Sequence, residues 1–431
     1  FTFVASPAAA LAFGLLPAVR LSRSDVQEVL RASGPGAMVS RGERRMLSGL
    51  IVVEVALSVI LLVGAGLMLS SFRNVTSVDP GFELDDRLTF SVAPPEASYD
   101  LDQAARFVRA LERRVAALPG VRAVGSAALV PLVGTGTTGV TLEGQREDEA
   151  GDNPGIQFSP VTPGFFEAMG MKVLRGRAFT DADGPDAVPA VVVSAGMAAR
   201  FWPGEEAVGR RLRITSRDTW MTVIGVVNDV RYGGLTGEVR PQMYLAHAQD
   251  PWRGMGLVVH AEGEPTGLMP AVREVIHDLD PTVAPYNVIS LSALYDMHSF
   301  EWRFSAVLFW IFAAIAALLA SIGLYSILAF AVSRRTREIG IRSALGAARG
   351  DLVAMVAGQA GRLVALGLGL GLAGAFALSR VLGSQLYDVD PHDPATYLLV
   401  AALTGIVAVA ATALPARRAA RLDPVSALRE E

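Results

Sequence analysis

Residues able to do chemistry are few and scattered in this 431-residue chain. It has no cysteine, which excludes thiolate metal sites, disulfides and cysteine nucleophiles. The only lysine, Lys172, stands between Met171 and Val173, and no G-x-x-x-x-G-K-[ST] loop for cradling phosphates occurs. Gly134-Thr-Gly136-Thr-Thr-Gly139 has the spacing of a dinucleotide loop, but no helix signal follows and the next residues alternate, which predicts a mobile loop or hairpin. Asp181-Ala-Asp183-Gly184-Pro-Asp186 lacks the spacing and closing Glu of a calcium loop and predicts a solvated turn; Asp390-Pro-His392-Asp393 predicts a short exposed loop. His247, His260, His277 and His298 are isolated from one another, with no H-E-x-x-H pair. No catalytic constellation, cofactor site or metal site is expected on the chain. Glu54 is different, because it lies within an apolar run. A carboxylate at membrane depth is a functional candidate, weighed against the plainer reading that it reaches the interface or pairs with an arginine there.

The elements around these residues are membrane spans. Residues 304–332 carry no charge and would reach about 43 Å as a helix, beyond the roughly 30 Å of a bilayer's hydrocarbon. Arg334, Arg335, Arg337, Arg342 and Arg349 follow, the arginine excess of a cytoplasmic loop. The predicted order is a first span at 47–70, entered past Arg41, Arg44 and Arg45; an extracytoplasmic domain at 71–303; a second span at 304–333; a cytoplasmic loop at 334–352; a third span at 353–382; an outer loop at 383–396; a fourth span at 397–414; and a cytoplasmic tail at 415–431. Gly367, Gly371 and Ala375 recur every four residues in the third span, a small-residue stripe on which a neighbouring helix can pack closely. Hydrophobic residues make up 51% and charged residues 19%, so a large polar part accompanies the spans. A net charge of −4 gives no reason to expect nucleic acid as a partner.

Within the large domain, α/β parts are expected at about 71–130 and 256–300, around a β-rich insertion at about 131–255. The first part reads as strand 88–92, a helix opened by the capping box Asp100-Leu-Asp-Gln103 with the stripe Leu101, Ala104, Val108, Leu111 and Val115, and strand 121–130. The second reads as strand 256–260, helix 268–279 and strand 283–289. In the insertion the clearest strands are 190–193, 211–215 and 221–227. The aromatic clusters Phe165-Phe166 and Phe201-Trp202 are expected in the core. Residues 1–46 stand apart. Leu16, Pro17, Ala18, Arg20, Arg23, Asp25, Leu30 and Arg31 have identical partners between Leu414 and Arg429 at a constant offset, so the segment reads as the tail of a preceding unit: a partial transmembrane helix, a basic cytoplasmic helix and a linker.

These pieces resemble the MacB/FtsX-type permease family of ABC transporters, and more narrowly the duplicated orphan, ADOP-like permeases. The resemblance rests on Val78-Asp-Pro-Gly-Phe82, Val161-Thr-Pro-Gly-Phe-Phe166 with Leu174-Arg-Gly-Arg177, Phe201-Trp-Pro-Gly204 with Val208-Gly-Arg210, and Val223-Ile-Gly-Val-Val-Asn-Asp229. Arg337-Glu-Ile-Gly-Ile-Arg342 with Ala344-Leu-Gly-Ala347, and Pro415-Ala-Arg-Arg418 with Asp423-Pro-Val425, complete it. The fold it implies is a membrane α-helical protein: a four-span permease unit plus a truncated extra helix, with a large α/β and β-rich extracytoplasmic domain. The implied function is a permease subunit that passes ATP-driven motion from a separate cytoplasmic ABC ATPase to the outer domain, for export or extraction of a substrate. ATP then belongs to the partner. Further implied partners are membrane lipids, a second copy or the preceding unit as a dimer or pseudo-dimer, and an extracytoplasmic adaptor; the location is the bacterial inner membrane. The alternatives are an FtsX-like regulator of an outer enzyme and a membrane-tethered sensor or enzyme.

The cytoplasmic loop suits the coupling role in its own right. Glu338 and Arg342 are an i, i+4 pair in the favourable order, and Ile341, Leu345, Ala348 and Leu352 form an apolar stripe. Together with Arg337 they are the expected contact with the ATPase; the plainer reading is a helix lying among lipid headgroups.

Overall fold

The computed structural model describes residues 41–146, 151, 153–234, 236–237, 239–334, 349–383 and 386–420. The partial helix and linker expected at 1–40, the coupling residues Arg337, Glu338, Ile341, Arg342 and Leu345, and the tail beyond 420 lie outside them.

In chain order the elements are α1 (Arg41–Ser77), β1 (Arg87–Val92), α2 (Leu101–Ala116), β2 (Val121–Ala127), β3 (Thr137–Thr138), β4 (Val140–Leu142), β5 (Ile156–Val161) and α3 (Phe165–Met169). Then come β6 (Val173–Gly176), β7 (Ala190–Ser194), α4 (Ala195–Phe201), β8 (Arg211–Ile214), β9 (Met221–Val227), β10 (Gln242–Ala246) and β11 (Met255–Ala261). After a short 3-10 turn, α5 (Met269–Leu279), β12 (Tyr286–Ser290), α6 (Leu291–Arg334), α7 (Arg349–Leu382) and α8 (Pro394–Ala420) complete the order. Two compact units form. Among the described residues one is helical (41–64, 310–381 and 392–420) and the other holds the sheet (65–309 and 382–391).

The helical unit contains parts of four helices long and apolar enough to cross a membrane: Ser48–Ser77, Leu291–Ser326, Ala360–Leu382 and Pro394–Ala413. Helix α6 begins 13 residues ahead of the apolar boundary at residue 304. Hydropathy marks where lipid can lie, whereas a helix runs on until a breaker stops it, and Leu291–Arg303 contains neither Gly nor Pro.

Among the described residues of the sheet unit twelve strands form one sheet, ordered β12-β1-β11-β2-β5-β10-β7-β9-β8-β4, with β3 on β5 and β6 on β9. The strands of the stretch at about 131–255 continue the same sheet sideways from β2. Helices α2 and α5 cover one face of the first half, burying Phe107, Leu111, Val272 and Ile276 against Leu88, Phe90, Leu257 and Val259. On the opposite face α3 packs Phe165, Phe166 and Met169 against Ala127, Val130 and Val258, together with Leu291, Leu294 and Tyr295 at the start of α6. The outer half has its own core of Val191, Val193, Met197, Trp202, Leu212, Val223, Met243 and Leu245. Two sequence expectations shift in extent. The last strand starts at Tyr286 rather than 283, since Pro285 has no N–H for a ladder, and β2 stops at Ala127, after which the Leu129 N–H turns to the Ser159 hydroxyl.

Candidate functional site

Asp100 and Gln103 cap α2 reciprocally, the Gln103 N–H donating to Asp100 Oδ1 at 2.6 Å and the Asp100 N–H to Gln103 Oε1 at 2.9 Å. This sets the start of α2, and the buried residues Ala104, Phe107, Val108, Leu111 and Val115 turn that face of the helix to the sheet. Glu112 Oε1 accepts the hydroxyls of Ser126 on β2 and Thr162 after β5, each at 2.6 Å. Burial raises its pKa, while the two hydroxyls and then the Arg109 charge pull it back. Beside it His247 is 2% exposed, and its Nε2–H donates to the Trp252 carbonyl at 3.1 Å. Burial lowers the pKa of this imidazole.

The other motifs serve the fold. The aspartate run is closed by Arg177, whose guanidinium meets both oxygens of Asp183 at 2.6 and 2.8 Å and holds that carboxyl below its ordinary range. Asp183 is 6% exposed, so this turn is anchored rather than solvated. Within the Gly134–Gly139 run Thr137 and Thr138 form β3, paired with β5, and β4 follows at Val140–Leu142. Asp393 accepts the N–H and hydroxyl of Thr396 at 3.0 and 2.6 Å in the first turn of α8. Phe165, Phe166 and Trp202 are buried in the cores. No group of three or more metal-capable side chains occurs among the described residues.

In the helical unit, Glu54 Oε2 lies 2.7 Å from where a Cβ on Gly323 would stand, so the absence of a side chain on α6 makes room for the carboxylate on α1. The small-residue stripe packs α7 against α1. A Cβ on Gly367 would fall 2.7 Å from Val55 Cβ, one on Gly371 would fall 2.7 Å from Val59 Cβ, and Ala375 is 3% exposed. Gly374, against Ile60, extends the contact. An apolar cavity of about 170 Å³ lies between the helices, lined mostly by aliphatic side chains with Ser58, Ser321 and Thr404. Those three hydroxyls donate to carbonyls of their own helices, at Glu54, Ala317 and Val400, and offer no hydrogen for a polar ligand. Sequence reasoning missed two features. Gly323 is a lone glycine in an apolar run, and Glu112 borders the apolar stripe of α2 with partners 14 and 50 residues away.

The described residues thus combine four helices long and apolar enough to cross a membrane with one large mixed sheet. Residues 46–274 match the MacB-like periplasmic core domain and residues 310–424 the FtsX-like permease C-terminal domain. The chain belongs to the MacB/FtsX family of ABC-transporter permeases, multi-pass proteins of the bacterial inner membrane. It is 27% identical over 277 residues to the macrolide export ATP-binding/permease protein MacB of Chromobacterium violaceum, covering 62% of this chain and 42% of that protein. Against the uncharacterized ABC transporter permease YknZ of Bacillus subtilis it is 25% identical over 287 residues, covering 63% of this chain and 69% of the relative. The crystal structure of the periplasmic region of MacB from Actinobacillus actinomycetemcomitans aligns with a TM-score of 0.36 and 11% identity, over 52% of this chain and 97% of that one.

Proposed function

We propose that this chain is the permease subunit of an ABC-type exporter, passing the motion of a separate cytoplasmic ATPase to the outer domain to export or extract a substrate. The observation that carries this reading is helix continuity. Helix α1 runs unbroken from Arg41 to Ser77 and α6 from Leu291 to Arg334, and each belongs by residue number to both units. A helix transmits displacement along its length, since its hydrogen bonds lie parallel to its axis. The chain carries no phosphate-cradling lysine loop, so ATP is assigned to the partner. The MacB relatives are macrolide export ATP-binding/permease proteins, which join an ATP-binding part to a permease in one chain, and this supports a permease that works with an ATPase.

Ile341 and Leu345 are the proposed docking face for the ATPase, with Arg337, Glu338 and Arg342 orienting the contact. Covering an Ile or Leu fully contributes about 1.5–3 kcal/mol. Replacing both with Asp should leave expression and membrane insertion unchanged, strip the ATPase from the purified complex, and abolish stimulation of its turnover by the permease. Retention of a coupled ATPase by the double variant would make this segment a headgroup-bound connector instead.

A further inference from the structure

The sheet has one narrow joint. Strand β2 meets β5 at a single registered pair, Ala127 with Val161, whereas β2 runs beside β11 from Val121 to Ala127 and β5 beside β10 from Gln157 to Val161. One face of the sheet carries separate cores on the two sides of this joint, whereas on the α3 face a single core runs across it, with Ala127 and Val258 on one side and Val161, Val192, Val227 and Tyr244 on the other. The chain crosses between the sides only twice, after β2 and between β10 and β11.

The two faces of the joint are built differently. Gly125 is paired with Val258, whose side chain lies in the core on the α3 face. There a Cβ on Gly125 would stand 2.3 Å from the Phe165 nitrogen, and one on Gly164 would stand 2.1 Å from the Val124 oxygen. Backbone rests on backbone with no side chain between. Ser126 is paired with Leu257 and therefore points to the opposite face, under α2. On that face Glu112 binds one hydroxyl from each side of the joint, Ser126 and Thr162. The Ser126 N–H donates to Thr162 Oγ1 at 2.7 Å, and the Thr162 N–H returns to the Ser126 carbonyl at 2.9 Å. Beside this cluster a cleft of about 140 Å³ has Arg109 as its wall on the α2 side and Thr162, Phe179, Asp181 and His247 on the other.

We propose that the β2–β5 joint is a one-sided hinge in the outer domain, with the Gly125–Gly164 contact as its fulcrum and Glu112 as the latch that keeps the Arg109–His247 cleft closed. The glycine face cannot close further, because its backbones already touch, and it cannot slide without a clash. The latch face can open, because its hydrogen bonds can be exchanged for bonds to water at modest net cost. Opening also hydrates Glu112, whose nearby charges are Arg109 on its own helix and Asp181 across the cleft. The backbone N–H of His247 donates to the Val161 carbonyl at 2.9 Å and so extends the β5–β10 ladder within one side of the joint.

The absence of cysteine allows a direct measurement. Arg113 on α2 and Asp186 beyond the cleft are exposed, and each can be changed to Cys and spin-labelled in the full chain in lipid nanodiscs. Pulsed dipolar spectroscopy should give one narrow distance in the doubly labelled parent. Glu112→Ala and Thr162→Val should add a longer-distance population, raised about tenfold for a loss of about 1.4 kcal/mol of latch energy. Glu112→Gln, which keeps an acceptor and the side-chain shape, guards against outright unfolding and should give an intermediate population. Val108→Ala thins the α2 core without touching the latch and should lower stability at an unchanged distance. Identical distributions in the parent and in Thr162→Val and Glu112→Gln, or equal opening by Val108→Ala, would overturn the hinge.

Discussion

Glu112 is pulled in two directions: burial withdraws its carboxylate from water and raises its pKa above the ordinary 4.5, while Ser126, Thr162 and Arg109 oppose the rise. A carboxyl with a raised folded pKa binds more protons folded than unfolded, so its stabilising effect is full below about pH 4.5 and fades as pH climbs through the raised value. His247 acts with the opposite sign. Its folded pKa is lowered, so stability is full above about pH 6.5 and is lost as pH falls toward the folded value. Unfolding of the full chain in detergent, followed by tryptophan fluorescence from about pH 5 to 8, should show Glu112→Gln gaining on wild type toward high pH. A constant difference across that range would mean that the acid stays in one protonation state. Thr162→Val leaves Glu112 with the Ser126 hydroxyl alone and should cost about 1–2 kcal/mol. Glu54 was legible in the sequence because charge stands out in an apolar run. Glu112 was not, because its meaning comes from hydroxyls brought to it by the sheet.

At the scale of elements, close approach replaces charge. Helix α7 meets α1 through Gly367, Gly371 and Gly374, each with a side chain of α1 in the space a Cβ would need. Gly371→Leu must push Val59 away and should cost about 1–3 kcal/mol or separate the helices. A lowered melting temperature in detergent, with insertion retained, is the expected result, and wild-type melting would show that the contact has slack. The four-residue spacing of small side chains revealed this contact in advance, because a helix face is a local property of sequence. Single strands were equally readable: β9 spans Met221–Val227 as alternation and turn residues predict. Their union into one sheet was not, since the β2–β5 pairing depends on residues more than thirty positions apart and on one registered pair.

For the whole molecule, α6 presents an apolar stripe with few partners. Met297, Phe300, Phe304, Val307, Ile311, Ile315, Leu318 and Ile322 repeat every three to four residues and are all at least half exposed, apart from Ile315 at 49%. Such a face suits a second permease unit as well as lipid, and Phe304→Cys separates the two in a chain without other thiols. Oxidation in native membranes should give a disulfide-linked dimer if two copies meet along α6. Monomer alone at this position and at Ile311→Cys would leave the stripe to lipid.

The short connection between α7 and α8 is held at its outer end. The Tyr387 N–H donates to the buried Ser71 hydroxyl at 2.9 Å, and Asn74 Nδ2 donates to the Asp388 carbonyl at 2.6 Å. Tyr387 also packs on the core beneath α3, and Asp388 takes a left-handed φ of 49° to make the turn. From residue 386 onward, the described part of this connection is therefore anchored at two consecutive residues. Each added residue would bring up to about 3.3–3.6 Å of free length. An insertion at Tyr387 or Asp388, in what looks like the easiest place to lengthen the chain, would therefore displace an anchored residue.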